Sequence, residues 1–224
     1  MLRIDGKAFH SYTKKAKRPF DELLMELMNR TAVKLCESIQ GAQFAYVQSD
    51  EISILLTDFE TPTTEAWFDG NLQKVVSVSA AIATQAFNHA VVHYAWEEFP
   101  ERRDDFKDTA LFDSRVWTMA DPIEVENALI WRMQDCEKNS LQMAARSFYS
   151  SKALHGKKGP QLHDLLKKKD VNWNNYPAGF KRGRFVTKDE ENGWIVVEPP
   201  VFTRDRSFLR SRIPLMWAEK LEKP

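Results

Sequence analysis

A mixed α/β (α+β) fold of the split βαβ, or ferredoxin-like, kind is predicted by three features of the sequence. Between Met1 and Met119 the apolar patterning runs strand, helix, strand, strand, helix, strand, the order of that arrangement. The first helix is marked by a 3.6-period stripe, and the middle two strands are separated only by the short turn Gln48-Ser49-Asp50. An antiparallel sheet packed by helices follows.

Each element has its own signal. MLRIDGKAF reads as the first strand. DELLMELMNRTAVKLCESI reads as a helix whose core face is Leu23, Leu24, Leu27, Met28, Thr31, Ala32, Leu35, Cys36 and Ile39. AQFAYV and EISILLT form a hairpin, a second helix runs from Glu65 to about His93, and ALFDSRVWTM supplies a fourth strand. A long helix starts after Asp121, an N-cap followed by Pro122 at the first helical position. Beyond Ser150 the elements shorten, with GRFVTK and GWIVVE paired across DEENG as a hairpin that Pro199 and Pro200 end. This gives a catalytic unit over 1–150 and a basic C-terminal extension of helix and hairpin over 151–224.

The chain has 224 residues, 43% apolar and 29% charged. A chain of this length buries roughly 70 to 75% of its unfolded surface, which suits one large domain. No run reaches the roughly 18 apolar residues of a membrane helix, and MLRIDGKAFH lacks the apolar core of a secretion signal. A cytoplasmic location without a membrane partner is expected. Cys36 and Cys136 stand far from any Cys or His at metal-ligand spacing, so each is expected to be a small buried apolar residue.

Net charge is zero, yet it is unevenly spread: residues 1–50 carry +2, 51–150 carry −9 and 151–224 carry +7. The basic stretches KALHGKKG, LLKKKD, GFKRGRF and TRDRSFLRSR are interleaved with Trp173, Tyr176, Phe180, Phe185 and Phe208. Such a surface suits an anionic partner whose phosphates meet lysines and whose bases stack, although a solvated basic face explains the charges equally well.

In the split βαβ fold the first strand is expected beside the strand that begins the hairpin. The loop IDGKAF would then open near QSDE, so that Asp5 and Asp50 face one another across strand ends. Two carboxylates and the carbonyl of Gly6 suit a hard divalent cation such as Mg²⁺. Taken singly, DG is most often a turn and SDE most often a solvated hairpin tip; their meeting at neighbouring strand ends carries the argument. Lys74 reaches such a site only if its helix points its N-terminal part there, where the helix dipole also attracts phosphate.

RIDGKAFH at 3–10, QSDE at 48–51, KVVS at 74–77, FDSRV at 112–116 and WRMQDCEKNS at 131–140 resemble, in order, the motifs of the tRNA-His guanylyltransferase family. The resemblance covers residues 2 to about 185 and is strongest to the bacterial guanylyltransferase-like branch. It implies a polymerase-palm-like sheet and an enzyme that adds nucleotides to the 5′ end of tRNA in the 3′-to-5′ direction. It implies that Asp5, the Gly6 carbonyl and Asp50 hold two Mg²⁺ with Glu51 in support. It places Ser49, Lys74 and Ser77 near a nucleoside triphosphate (ATP, GTP or another), Arg18 at the activation step, and Lys7, Ala8, Phe9 and His10 along a nucleotide. His10 is as readily a structural histidine.

Arg132, Asp135 and Asn139 share one helix face and match a family motif, as substrate contacts or as an internal ion-pair network. Lys157, Lys181 and Arg182 are further candidates for RNA or second-nucleotide contact. Where eukaryotic members have His-Ile-Asn-Asn, this chain has Glu137-Lys138-Asn139-Ser140. That favours template-dependent repair of 5′-truncated tRNA over untemplated addition of one guanosine. The family's helix upstream of the first strand has no counterpart in these residues, and the family implies a homotetramer. Two other readings are a palm-type nucleotidyltransferase or cyclase of different chemistry, and a catalytically silent RNA-binding protein.

Overall fold

The computed structural model describes residues 1–215; residues 216–224, the end of the C-terminal segment 151–224, lie outside the described residues. Six strands form one antiparallel sheet: β1 (Leu2–Gly6), β2 (Ala42–Gln48), β3 (Glu51–Leu56), β4 (Phe112–Val116), β5 (Arg184–Asp189) and β6 (Gly193–Val197), in the spatial order β4-β1-β3-β2-β5-β6. The helices are α1 (Phe9–Tyr12), α2 (Glu22–Ser38), α3 (Leu72–Ala90), α4 (Trp96–Glu98), α5 (Pro122–Arg146), α6 (Ser151–Leu154), α7 (Gly159–Lys167), α8 (Ala178–Arg182) and α9 (Ser207–Arg210).

Alternation along the strands divides the sheet into two cores. On one face Leu2, Ile4, Ala45, Val47, Ile52 and Ile54 pack against Leu27, Leu35, Ala83 and Phe87 of α2 and α3. On the other, Phe44, Tyr46, Leu55 and Phe185 pack against Leu129 and Met133 of α5, with Phe202 and Leu209 closing that layer. A third cluster, Leu141, Leu154, Leu162, Leu166 and Trp173, joins α5 to α6 and α7.

Three expectations require correction. β1 pairs not with the first hairpin strand but with the second: Asp5 lies opposite Glu51 and Leu2 opposite Ile54. The pairing is antiparallel, so the end of β1 still meets the start of β3 and the Gln48-Glu51 turn. The second helix starts at Leu72 rather than Glu65, because a turn at Trp67–Gly70 precedes it. There Phe68 and Asp69 are left-handed (φ 54 and 53), and Asn71 caps α3 by accepting from the Lys74 amide at 3.1 Å. Finally, α3 continues through a π-helical turn at Val91–Ala95 into α4, and this Leu72–Glu98 run is long and apolar enough to cross a membrane. Here Ala83, Phe87 and Ala90 are buried in the core; helices of this composition occur in soluble cores as well.

The C-terminal hairpin β5–β6 does not form a separate sheet. β5 pairs with β2 from Phe44 opposite Thr187 to Val47 opposite Arg184, so the sheet crosses the boundary drawn at residue 150.

Candidate active site

The site is built where β1 ends and the β2–β3 turn begins. The Gly6 amide donates to the Asp50 carbonyl at 3.1 Å, and the Lys7 amide to the Leu111 carbonyl at 2.8 Å, tying the loop after β1 to both neighbours. Gly6 is required by packing, because a Cβ there would lie 2.3 Å from the Phe9 ring. Two non-glycine residues are held left-handed beside it, Ala8 (φ 53) and Ser49 (φ 46), a conformation that costs L-residues roughly 1–2 kcal/mol. Such conformations cluster at functional sites.

Asp5 is half-buried, and so is Asp50. Burial pushes the Asp50 carboxyl above the ordinary range, the Ser49 hydroxyl and a backbone amide pull it back in part, and the negative charge of Asp5 pushes it up further. Among the described residues no Lys or Arg forms an ion pair with either aspartate. Glu51 is different. Its Oε2 accepts from Arg132 Nη2 at 2.7 Å, its Oε1 accepts from Gln48 Nε2 at 3.2 Å, and Arg3 Nε lies 3.8 Å away. Burial still raises the Glu51 carboxyl, with Arg132 and Arg3 opposing.

The two aspartates border a cleft of about 460 Å³ that runs over the ends of β1, β3, β2 and β5 between α2 and α5. His10, Lys17, Arg18 and Arg146 are exposed on its rim. The segment 17–20 is held by Asp21, which accepts from the amides of Lys17 (2.7 Å), Leu23 (3.0 Å) and Leu24 (3.2 Å) and is bridged by both terminal nitrogens of Arg102. Burial alone would raise the Asp21 carboxyl; the bonds from Arg102 and from the Lys17 and Leu24 amides outweigh it and hold it below the usual range.

The remaining sequence candidates divide. Arg132, Asp135 and Asn139 do share a face, as an internal network: Arg132 Nη2 reaches Asp135 at 3.3 Å and Asn139 Nδ2 donates to Asp135 at 3.1 Å. Arg132 and Asn139 also line the cleft. Lys7 and Ala8 are exposed. Phe9 lines the cleft, but its ring is a core element packed against Tyr12, Phe87 and Phe112.

Lys74 and Ser77 do not reach the cleft. Ser79 Oγ meets Ser114 Oγ (2.8 Å), Thr84 Oγ1 accepts from the Phe112 amide (3.2 Å), and Asn88 Nδ2 donates to the Ala110 carbonyl (2.8 Å). Advancing α3 therefore moves toward the Gly6 end of the sheet, and the helix N-terminus carrying Lys74 lies toward the Leu2 end. The Lys74 ammonium instead sits 5.8 Å from the Phe68 ring.

In the basic segment, Lys181 is buried, bonded through Nζ to the Asn174 carbonyl and set 5.4 Å from the Trp173 ring; burial lowers its pKa. It is a structural residue, not an RNA-facing one. Arg182 and Lys157 are half-buried, outside the cleft. Trp173 and Phe185 are core residues rather than stacking platforms. Sequence reasoning missed Arg184, buried at the start of β5 and lining the cleft, with burial holding its guanidinium down at about 10. It also missed the Asp21–Arg102 pair, whose partners are 81 positions apart.

No set of three His, Cys, Asp or Glu side chains that could hold a metal ion occurs among the described residues. Two carboxylates without counter-ions are nonetheless the donor set that fits Mg²⁺, which takes few protein oxygens and fills its shell with water and phosphate. Such a sheet, with an uncompensated acidic pair facing a basic rim, defines a nucleotide-handling centre.

Comparison with known proteins agrees. The family model described as Thg1: tRNAHis guanylyltransferase matches residues 1–120. A bacterial tRNA(His) guanylyltransferase (Thg1)-like protein in complex with ATP is 40% identical, with a TM-score of 0.85 over 96% of this chain and 90% of that one. One in complex with GTP is 36% identical, with a TM-score of 0.77 over 96% and 89%. The tRNA(His) guanylyltransferase of Saccharomyces cerevisiae is 28% identical over 206 residues, 85% of this chain and 83% of its own length. The protein is an enzyme of the nucleotidyltransferase class. It belongs to the tRNA(His) guanylyltransferase family.

Proposed function

We propose that this enzyme extends 5′-truncated tRNA in the 3′-to-5′ direction, templated by the opposite strand. The observation that carries the reading is the Asp5–Asp50 pair, which forms no ion pair with a cation among the described residues and lines a cleft with a basic rim. Asp5, the Gly6 carbonyl and Asp50 would hold Mg²⁺, as two ions in the family's manner. When bound, the metal supplies charge neutralisation for phosphate oxygens and activation of an attacking hydroxyl.

The side chains of this protein set up the rest. Lys17, Arg18 and Arg146 attract phosphates to the cleft by charge. Asp21, at the cleft wall and paired with Arg102, holds the 17–20 segment in place with its charge offset by that pair. Glu51, paired with Arg132, ties the start of β3 to α5 beside the aspartates. The reaction is read as two steps: a 5′-monophosphate is adenylylated by ATP with loss of pyrophosphate, and the 3′-hydroxyl of an incoming nucleotide then displaces AMP. Both depend mainly on positioning and electrostatics.

Templated repair is supported by the 40% identity to a bacterial guanylyltransferase-like protein and by the departure of Glu137-Lys138-Asn139-Ser140 from the eukaryotic motif. In the Glu137–Ser140 stretch, Ser140 lines the cleft and is buried, donating to the Glu137 carbonyl and accepting from Trp173 Nε1. Incubating 3′-labelled, 5′-truncated tRNA with ATP and nucleoside triphosphates tests the reading. Products lengthened at the 5′ end to match the opposite strand are expected; products lengthened at the 3′ end, or none, would contradict it.

A further inference from the structure

The cleft has a second end, away from the aspartates. Arg184 opens β5, and β5 lies three strands from β1 in the order β1-β3-β2-β5, an offset of roughly 14 Å at the usual strand spacing. Arg184 is only 5% exposed. Its Nε donates to Asn29 Oδ1 at 2.9 Å and its Nη1 to the Gly179 carbonyl at 3.3 Å, while Nη2 has no partner among the described residues. Leaving such a donor unmet in a buried charged group is costly unless something else accepts from it.

The surroundings are flat and apolar. Phe180, next to Gly179, stacks on Phe20 with centroids 4.9 Å apart and planes 11° from parallel. A Cβ on Gly179 would lie 3.1 Å from Arg184 Cδ and 3.3 Å from Met25 Sδ, so the three residues adjoin with little slack. Met143 lines the same cleft from α5. Thioether and aromatic walls with one directed donor suit a nucleobase better than a phosphate, which finds exposed cations at the rim.

We propose that Arg184 is a specificity-determining residue: it reads the purine base of the bound nucleotide, Nη2 donating to a ring-nitrogen or carbonyl acceptor at the base edge. This rests on the nucleotidyl-transfer reading. The roughly 14 Å offset between β5 and β1 leaves room for sugar and phosphates between the two ends of the cleft.

The test is calorimetric titration of ATP, GTP and inorganic tripolyphosphate, with Mg²⁺, into wild-type protein, Arg184→Met and Gly179→Ala. Methionine replaces a buried, partly unmet charge by an apolar group of similar length, a change such sites tolerate. Arg184→Met is expected to weaken the better-bound purine nucleotide by about ten- to hundredfold, leaving tripolyphosphate unchanged. Gly179→Ala, which nudges the side chain without changing charge, gives a smaller loss with the same selectivity and answers the question if the methionine variant does not fold. Equal losses for nucleotide and tripolyphosphate would make Arg184 a phosphate contact and overturn the proposal, as would unchanged affinity for all three. Wild-type protein that binds none of them would overturn the nucleotidyl-transfer reading itself, and this proposal with it.

Discussion

Glu51 has its two carboxylate oxygens engaged by Arg132 and Gln48, with Arg3 nearby, whereas Asp50, one residue earlier, meets the Ser49 hydroxyl and the negative charge of Asp5. The difference arises from where each falls. Both line the cleft, but Glu51 is the first residue of β3 and meets Arg132 of α5 there, whereas Asp50 is still in the turn and forms no ion pair among the described residues. One acid is paired with cations, and the other forms no ion pair among the described residues. An adjacent acidic pair in a sequence can therefore divide between ion-paired and unpaired carboxylates, and the proposed function takes Asp5 as the metal-holding partner of Asp50, with Glu51 in support.

The largest effect is expected where that contrast is broken directly. Asp50→Asn should reduce nucleotide addition by about a hundred- to a thousandfold, an expectation drawn from electrostatic catalysis generally. It should also raise the thermal midpoint at neutral pH without Mg²⁺. The sign follows from the raised carboxyl: a folded state that binds the proton more tightly loses stability as pH rises through the folded pKa, so at pH 7 the ionised Asp50 is a standing cost. Added Mg²⁺ should stabilise the wild type and leave the variant unmoved, as differential scanning fluorimetry would show.

Breaking the neutralised side should act on stability instead. Arg132→Leu strands a buried Glu51 carboxylate and is expected to destabilise by about 3–5 kcal/mol in urea denaturation. Arg102→Leu leaves Asp21 buried, with three backbone amides still bonded to it, and should fall at the low end of that range. Here the pH sign is opposite to that of Asp50. The Asp21 carboxyl is held low, so its stabilisation is present above the ordinary aspartate pKa and is lost as pH falls through the folded value. The wild type should thus lose more stability than Arg102→Leu on acidification below pH 4.

Smaller effects sharpen the turn geometry. Gly6→Ala forces a methyl into the Phe9 ring and should cost about 1–3 kcal/mol by overpacking. Ser49→Gly relieves a left-handed serine and should gain up to about 1 kcal/mol in the same denaturation assay.

Most of the fold was legible because strand and helix periods differ. The α2 stripe is buried as expected, apart from half-buried Leu24, and Asp121 caps α5 by accepting from the Ile123 and Glu124 amides at 2.7 and 3.0 Å. The late start of α3 was readable too, in Asp69-Gly70-Asn71, a turn followed by an N-cap. What periodicity cannot give is direction and partnership. Nothing local says that α3 points its N-terminus away from the aspartates, that Arg102 finds Asp21, or that Lys181 is buried beneath Trp173 while nearby lysines are exposed. For the same reason Arg184 looked like one more base in a basic stretch, although its register opposite Val47 puts it at the cleft.

The most direct test of the central claim, that Asp5 and Asp50 form the catalytic pair while Glu51 is structural, is the rate of 5′-end extension of a truncated tRNA under saturating nucleotide and Mg²⁺. Asp5→Asn, Asp50→Asn and Glu51→Gln would be compared with the wild type. Near-complete loss for both aspartate variants with folding intact, and a retained, measurable rate for Glu51→Gln, is the predicted result. Extension by Asp50→Asn at the wild-type rate, or loss as complete for a folded Glu51→Gln, would contradict it.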